Sequence, residues 1–135
     1  VRVADDDVQP AVALGVGEGL VAGVDDQFCD RLHGGDLDGL VGLYEPAAVF
    51  EPEPGRTVHG HVEIRAALAA LMALSPRMVV QPQQVLEAGD VALVVNDWTM
   101  AGTAPDGTPV VRDGRSADVL RRQPDGSWKV LIDRP

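Results

Sequence analysis

Glu51 stands where chemistry could be built. It closes the small apolar run Ala47-Ala48-Val49-Phe50, and Pro52 and Pro54 beyond it have no backbone N–H to donate. A strand over this run must therefore end at about Glu51. Close by in sequence, His59 and His61 flank Gly60. A site can be built around a strand-end carboxylate of this kind, with His59 as a pocket acid. The same residues do not make a metal site: the two histidines lack the i, i+4 helical spacing, His33 lies apart before a Gly-Gly turn, and no thiolate joins them. No metal and no cofactor are expected. The plainer reading of Glu51 is a solvated turn carboxylate, since an unpaired glutamate is seldom fully buried. Asp118 shares a strand pattern with Arg115, Arg121 and Arg122, where an edge ion pair is the simple account. Covalent catalysis has no candidate, because Cys29 falls on a helical pattern without an electropositive setting and no G-x-S-x-G elbow occurs.

The elements that must position these residues can be read from periodicity. Val21, Val24, Phe28 and Leu32 step along one helical face that ends at Gly34-Gly35. Asp36 is a good N-cap for a second helix, in which Leu37, Leu40, Val41 and Tyr44 recur at helical spacing before Pro46 stops it. After the Glu51 strand, Gly55 to Val58 returns as a brief hairpin partner. A third helix begins near His61 or Val62, carries Ile64, Leu68, Leu71 and Met72, and ends at Ser75-Pro76. The remainder reads as sheet: Met78 to Leu86 with a bulge at Pro82, Val91 to Met100, Gly114 to Arg122, and Ser127 to Ile132, with turns at Gly89-Asp90, Ala104 to Gly107 and Gln123 to Gly126. Residues 1–20 are expected to be a mobile lead-in, acidic at first and then weakened as helix by Gly15, Gly17 and Gly19 at about 1 kcal/mol each. Gly17 to Ala22 matches the loose G-x-G-x-x-A nucleotide pattern, but no alternation of strands and helices follows it.

Composition bounds the partners. The 135 residues suit one domain, and 45% apolar residues suffice for one core. A formal net charge of −10, with lysines and arginines scattered rather than set in a stripe, argues against nucleic acid and anionic membranes as partners. One cysteine cannot form an internal disulfide, which fits a reducing cytosol. No run reaches the ~18 apolar residues of a membrane span, and Asp5-Asp6-Asp7 stands where a signal peptide would be basic. A soluble, cytoplasmic protein is expected.

Three helices, interrupted by a hairpin and followed by a long antiparallel meander, predict an α+β layer fold with a curved sheet wrapped around the helices and an apolar cavity between them. From about Val21 to the end, the chain resembles the nuclear transport factor 2-like superfamily, in its ketosteroid isomerase and SnoaL-like branch. The resemblance is carried by Gly35-Asp36-Leu37-Asp38-Gly39-Leu40-Val41-Gly42-Leu43-Tyr44, by Ala48-Val49-Phe50-Glu51-Pro52, and by Gly60 followed by Val62-Glu63-Ile64-Arg65. It implies a single domain over 21–135, a cone-shaped sheet with an internal pocket, and homodimers as a common assembly. The superfamily hosts isomerases, cyclases and epoxide hydrolases, so fold alone does not choose among them.

By the same resemblance, Glu51 falls where the isomerases hold their general base, and Asp118 where they hold a buried aspartic acid that donates to the developing oxyanion. The helix-one tyrosine of those enzymes is matched by Phe28, which has no hydroxyl. Loss of one oxyanion donor typically costs ~10²–10³ in rate, so the expected chemistry is acid–base work by Glu51 and Asp118 on another apolar carbonyl compound, as isomerase or polyketide cyclase. The resemblance also makes the Trp98 face of its strand cavity-lining, with Asn96 as a hydrogen-bond donor. Phe28, His59, Asn96, Trp98, Met100 and Ser116 are thus the expected ligand-binding positions. Plain core remains an alternative for Trp98, as does backbone satisfaction for Asn96. Trp128, Val130 and Ile132 read as one inward stripe, and Asp133 after it can reach the cavity mouth, although a solvated chain end is the plainer reading. The second functional reading is a non-catalytic pocket for a hydrophobic ligand. The third is a dimerisation module whose outer sheet face (Val79, Val91, Leu93, Val95, Val119, Leu131) is too apolar to stay wet.

Overall fold

The computed structural model describes residues 16–135. Its elements are α1 (Val16–His33), α2 (Leu37–Val41), β1 (Tyr44–Glu53), β2 (Arg56–His59), α3 (Gly60–Met72), β3 (Arg77–Ala88), β4 (Val91–Thr103), β5 (Pro109–Arg122) and β6 (Trp128–Arg134). Residues 1–15 of the expected lead-in lie outside the described residues, whereas 16–20 form the first turns of α1. The expected apolar stripe of α1 packs on β3, with Val21, Val24 and Leu32 buried and Phe28 partly so.

The second helix is shorter than its pattern predicts. Asp36 caps it, its side chain accepting from the Gly39 N–H at 2.9 Å. A Cβ at position 39 would lie 2.1 Å from that carboxylate, so the cap requires glycine there. The helix ends at Val41, and Tyr44 opens β1 instead of completing the helical face. Tertiary pairing overrides the spacing: the Val130 N–H donates to the Leu43 carbonyl at 2.8 Å, drawing the chain into the sheet. In α3, Glu63 reaches back to accept from the His59 N–H at 2.7 Å.

One six-stranded sheet runs in the order β2-β1-β6-β5-β4-β3, with every neighbour antiparallel except β1 and β6. Four of the five strand pairings carry register shifts, and those in β3 and β6 each add a residue to one strand. In β3 the register shifts between Pro82 and Gln84, at the expected bulge. In β6, Val119 pairs with Ile132 but Leu120 pairs with Val130, so Leu131 is an extra residue. Helices and sheet close over a core that includes Leu40, Tyr44, Ile64, Leu68, Val94 and Val130. Trp128 is buried as expected, whereas Leu71 and Trp98 are only partly buried because, like Phe28, they face a cavity.

Candidate functional site

Between the helices and the concave face of the sheet lies a cavity of about 1160 Å³. Its inner wall includes Val24, Phe28, Leu71, Trp98 and Met100, and the exposed residues Glu53 to Arg56, Arg112 and Pro135 mark where it meets solvent. Alternation on β4 aims Asn96, Trp98 and Met100 to the same side, and β5 sets Asp118, Ser116 and Gly114 opposite Val94, Asn96 and Trp98. Asn96, Ser116 and Met100 are buried.

Polar groups converge at one end of this apolar space. Asp118 on β5 and Asp133 on β6 are direct cross-strand partners, and their carboxyls are hydrogen-bonded to each other. Two carboxyl groups can bond in this way only if one holds a proton. Burial, then the Asp133 charge, pushes Asp118 well above the usual carboxylate range. Burial also raises Asp133, while the hydrogen bonds from Asp118 and Tyr44 pull it back. The pair thus holds a proton between its two carboxyls. Tyr44 donates its hydroxyl to Asp133 Oδ2 at 2.5 Å, and burial followed by the Asp133 charge holds that phenol un-ionised. The Arg134 backbone N–H donates to Asp118 Oδ1 at 3.2 Å.

Asp25 of α1 adds a third carboxyl. It lines the cavity and accepts from Asn96 Nδ2 at 3.1 Å. Burial is the main cause of its rise from 3.8 to about 6; the Asn96 hydrogen bond opposes that rise, and the charges of Asp133 and Asp26 add to it.

Glu51 and Asp118 line the same cavity, but they are joined through Arg134 rather than to each other. Glu51 Oε1 faces the Arg134 guanidinium at 3.4 Å, and Oε2 accepts from the Gly55 N–H at 3.0 Å. Glu51 therefore sits at the turn by the mouth as a tethered carboxylate. His59 is exposed and does not line the cavity; its backbone caps α3. His61 lies close to the Tyr44 carbonyl, Nε2 to O 2.7 Å, and His33 accepts from the Met78 N–H at 2.9 Å. Among the described residues no group of three His, Cys, Asp or Glu is arranged to hold a metal ion, and no helix is long and apolar enough to cross a membrane.

Sequence reasoning missed Asp25 and Tyr44, and ranked Asp133 as a chain end ahead of a group at the cavity mouth. Asp25 carried a signal, since it falls between Val24 and Phe28 inside the buried stripe of α1. For Asp133 the expectation is corrected. The extra residue Leu131 reverses the alternation, so Ile132 turns outward at 41% exposure and Asp133 turns inward.

The family model of the SnoaL-like domain matches residues 26–131. No curated protein matches the chain. Among solved structures, the chain is similar to a nuclear transport factor 2-like protein with a cystatin-like fold from Novosphingobium aromaticivorans (TM-score 0.73, 20% identity, 91% of this chain and 82% of that one). It is likewise similar to a ketosteroid isomerase-like protein from Erwinia carotovora atroseptica (TM-score 0.73, 17% identity, 85% and 91%). A third is a conserved protein from Planctomyces limnophilus (TM-score 0.74, 18% identity, 86% and 91%). At these identities the likeness shows the fold alone.

Proposed function

The chain belongs to the SnoaL-like domain family, and on that premise we propose that it is a cofactor-independent isomerase or cyclase that moves protons on a small apolar carbonyl compound. The observation that carries this reading is the gathering of Asp25, Asp118 and Asp133 around one apolar cavity, with one carboxyl kept protonated by its neighbour. Proton abstraction beside a carbonyl needs a base that is ionised near neutral pH and a donor for the enolate oxygen. Asp25, titrating at about 6, supplies the base. Asp118 supplies the donor, as a carboxylic acid held neutral by its apolar, like-charged setting. Tyr44 and Asp133 position Asp118. Glu51, the base expected from sequence, is engaged by Arg134 and Gly55 at the mouth and serves to bind and orient.

The test is solvent-deuterium incorporation α to the carbonyl of a bicyclic ketone such as 1-tetralone. The full chain should accelerate exchange, and Asp118→Asn should remove most of the acceleration while binding persists. Binding without exchange would instead establish the second reading, a hydrophobic-ligand carrier, which Phe28 favours because it brings an apolar ring to the cavity in place of a donor. We also infer a homodimer through the outer sheet face, where Val79 is 57% and Val91 40% exposed. The working compartment inferred from the lone Cys29 is the cytosol.

A further inference from the structure

Two buried polar atoms of β4 have no partner among the described residues: the side-chain oxygen of Asn96 and the indole N–H of Trp98. The two residues are i and i+2 on one strand, so both side chains leave the same face, with Cα atoms about 7 Å apart. Both line the cavity. Asn96 is only 1% exposed, so its unmet oxygen is an interior atom. The amide's orientation is fixed by chemistry. Its Nδ2 donates to Asp25, and an ionised carboxylate can only accept; the reversed amide would set two acceptors against each other. Trp98 is fixed by contact. Its Cζ2, Cε2 and Nε1 atoms lie 3.0, 3.1 and 3.2 Å from where a Cβ on Gly114 would stand, so the indole rests on bare β5 backbone.

An acceptor and a donor on successive inward positions of one strand, both desolvated, are costly unless something answers them. The smallest neutral organic group that can answer both at once is a hydroxyl, which donates through its hydrogen and accepts through its lone pairs. We propose that Asn96 Oδ1 and Trp98 Nε1 form a subsite for a ligand hydroxyl, which donates to the amide oxygen and accepts from the indole N–H. The cross-strand register gives the ligand its layout: Val94 faces Asp118, Asn96 faces Ser116 and Trp98 faces Gly114. The subsite therefore lies two to four residues along the sheet from Asp118, which at ~3.4 Å per residue places the hydroxyl about 7–14 Å along the strands from the carboxyls. This inference rests on the cavity being a site for carbonyl compounds, and it narrows their class to hydroxyketones whose hydroxyl is remote from the carbonyl.

The test is calorimetric titration of the full chain with 1-tetralone, 6-hydroxy-1-tetralone and 6-methoxy-1-tetralone; the methoxy oxygen accepts but cannot donate. The hydroxyketone should bind at least tenfold tighter than either of the others. It should also shift the ¹⁵N-labelled indole signal that Trp98→Phe removes further than 1-tetralone does, leaving the Trp128 signal in place. Asn96→Ala and Trp98→Phe should each cut the ratio of hydroxyketone to 1-tetralone affinity below threefold, whatever they do to the affinity of both ketones. If a variant fails to fold, the wild-type three-ligand comparison and the indole signal decide alone. Equal affinity for all three ketones overturns the subsite and leaves the carbonyl-site reading standing. Failure of all three to bind overturns both.

Discussion

Asp118 and Asp133 face each other across the β5–β6 ladder and are hydrogen-bonded through their carboxyls. Like charges so placed cannot both be ionised cheaply, so the pair gives up its last proton only well above the usual carboxylate range. Asp118→Asn keeps the shape but discards the acid. Exchange at the ligand carbonyl should fall by ~10²–10³, with ketone affinity changed less than about threefold; an unchanged rate would remove Asp118 from the chemistry.

Tyr44→Phe removes the buried phenol that donates to Asp133. A hydrogen bond to a charged acceptor contributes about 1.5–3 kcal/mol, and urea denaturation at neutral pH should show a loss in that range. A loss below about 0.5 kcal/mol would mean that Asp133 is satisfied without the phenol.

Asp25→Asn and Glu51→Gln separate two candidate bases. With Asp25 as base, its amide variant should lose nearly all exchange activity, whereas Glu51→Gln, which weakens the contact with Arg134, should lower affinity more than turnover. The reverse pattern in kcat and KM would return the role to Glu51, as its sequence setting predicts.

Asp25 also makes stability depend on pH. Its folded pKa, about 6, lies above the ordinary 3.8, so the folded state binds the extra proton. Its contribution is fully present below about 3.8 and is lost as pH rises through 6. A shift of about two units corresponds to roughly 3 kcal/mol. Buried Asp118 acts in the same direction, while Glu45, lowered to about 2 chiefly by its Arg121 hydrogen bond, acts in the opposite one at lower pH. Thermal unfolding should therefore show Asp25→Asn more stable than wild type near pH 7.5, with the gap closing near pH 4.5. Parallel profiles would refute the assignment.

Light scattering at micromolar concentration should give twice the 14.2 kDa chain mass, and Val79→Asp should return it to one chain without loss of fold. A single-chain mass for the wild type rejects the dimer.

The fold was legible because its signals are local. Helix stripes, turn dipeptides and the Pro82 bulge each reside in a few consecutive residues, and they led to the right elements in the right order. Tyr44 was misassigned to α2 because helical spacing extends to it, while the contact that claims it for the sheet comes from Val130, far away in sequence. The site was half legible. Glu51, Asp118, Asn96 and Trp98 do line one cavity, but carboxyl pairing depends on which strands are neighbours and on their register. Neither is written in any one segment.

The extra residue at Leu131 makes strand length, as well as residue identity, a carrier of the chemistry. Every side chain from Ile132 onward owes its inward or outward aim to that single insertion. Deleting one residue there would exchange the roles of Ile132 and Asp133, filling the cavity end with a hydrocarbon and sending the carboxylate to solvent. Within such a scaffold, gain or loss of the acid pair requires no change of residue type, only a change of count.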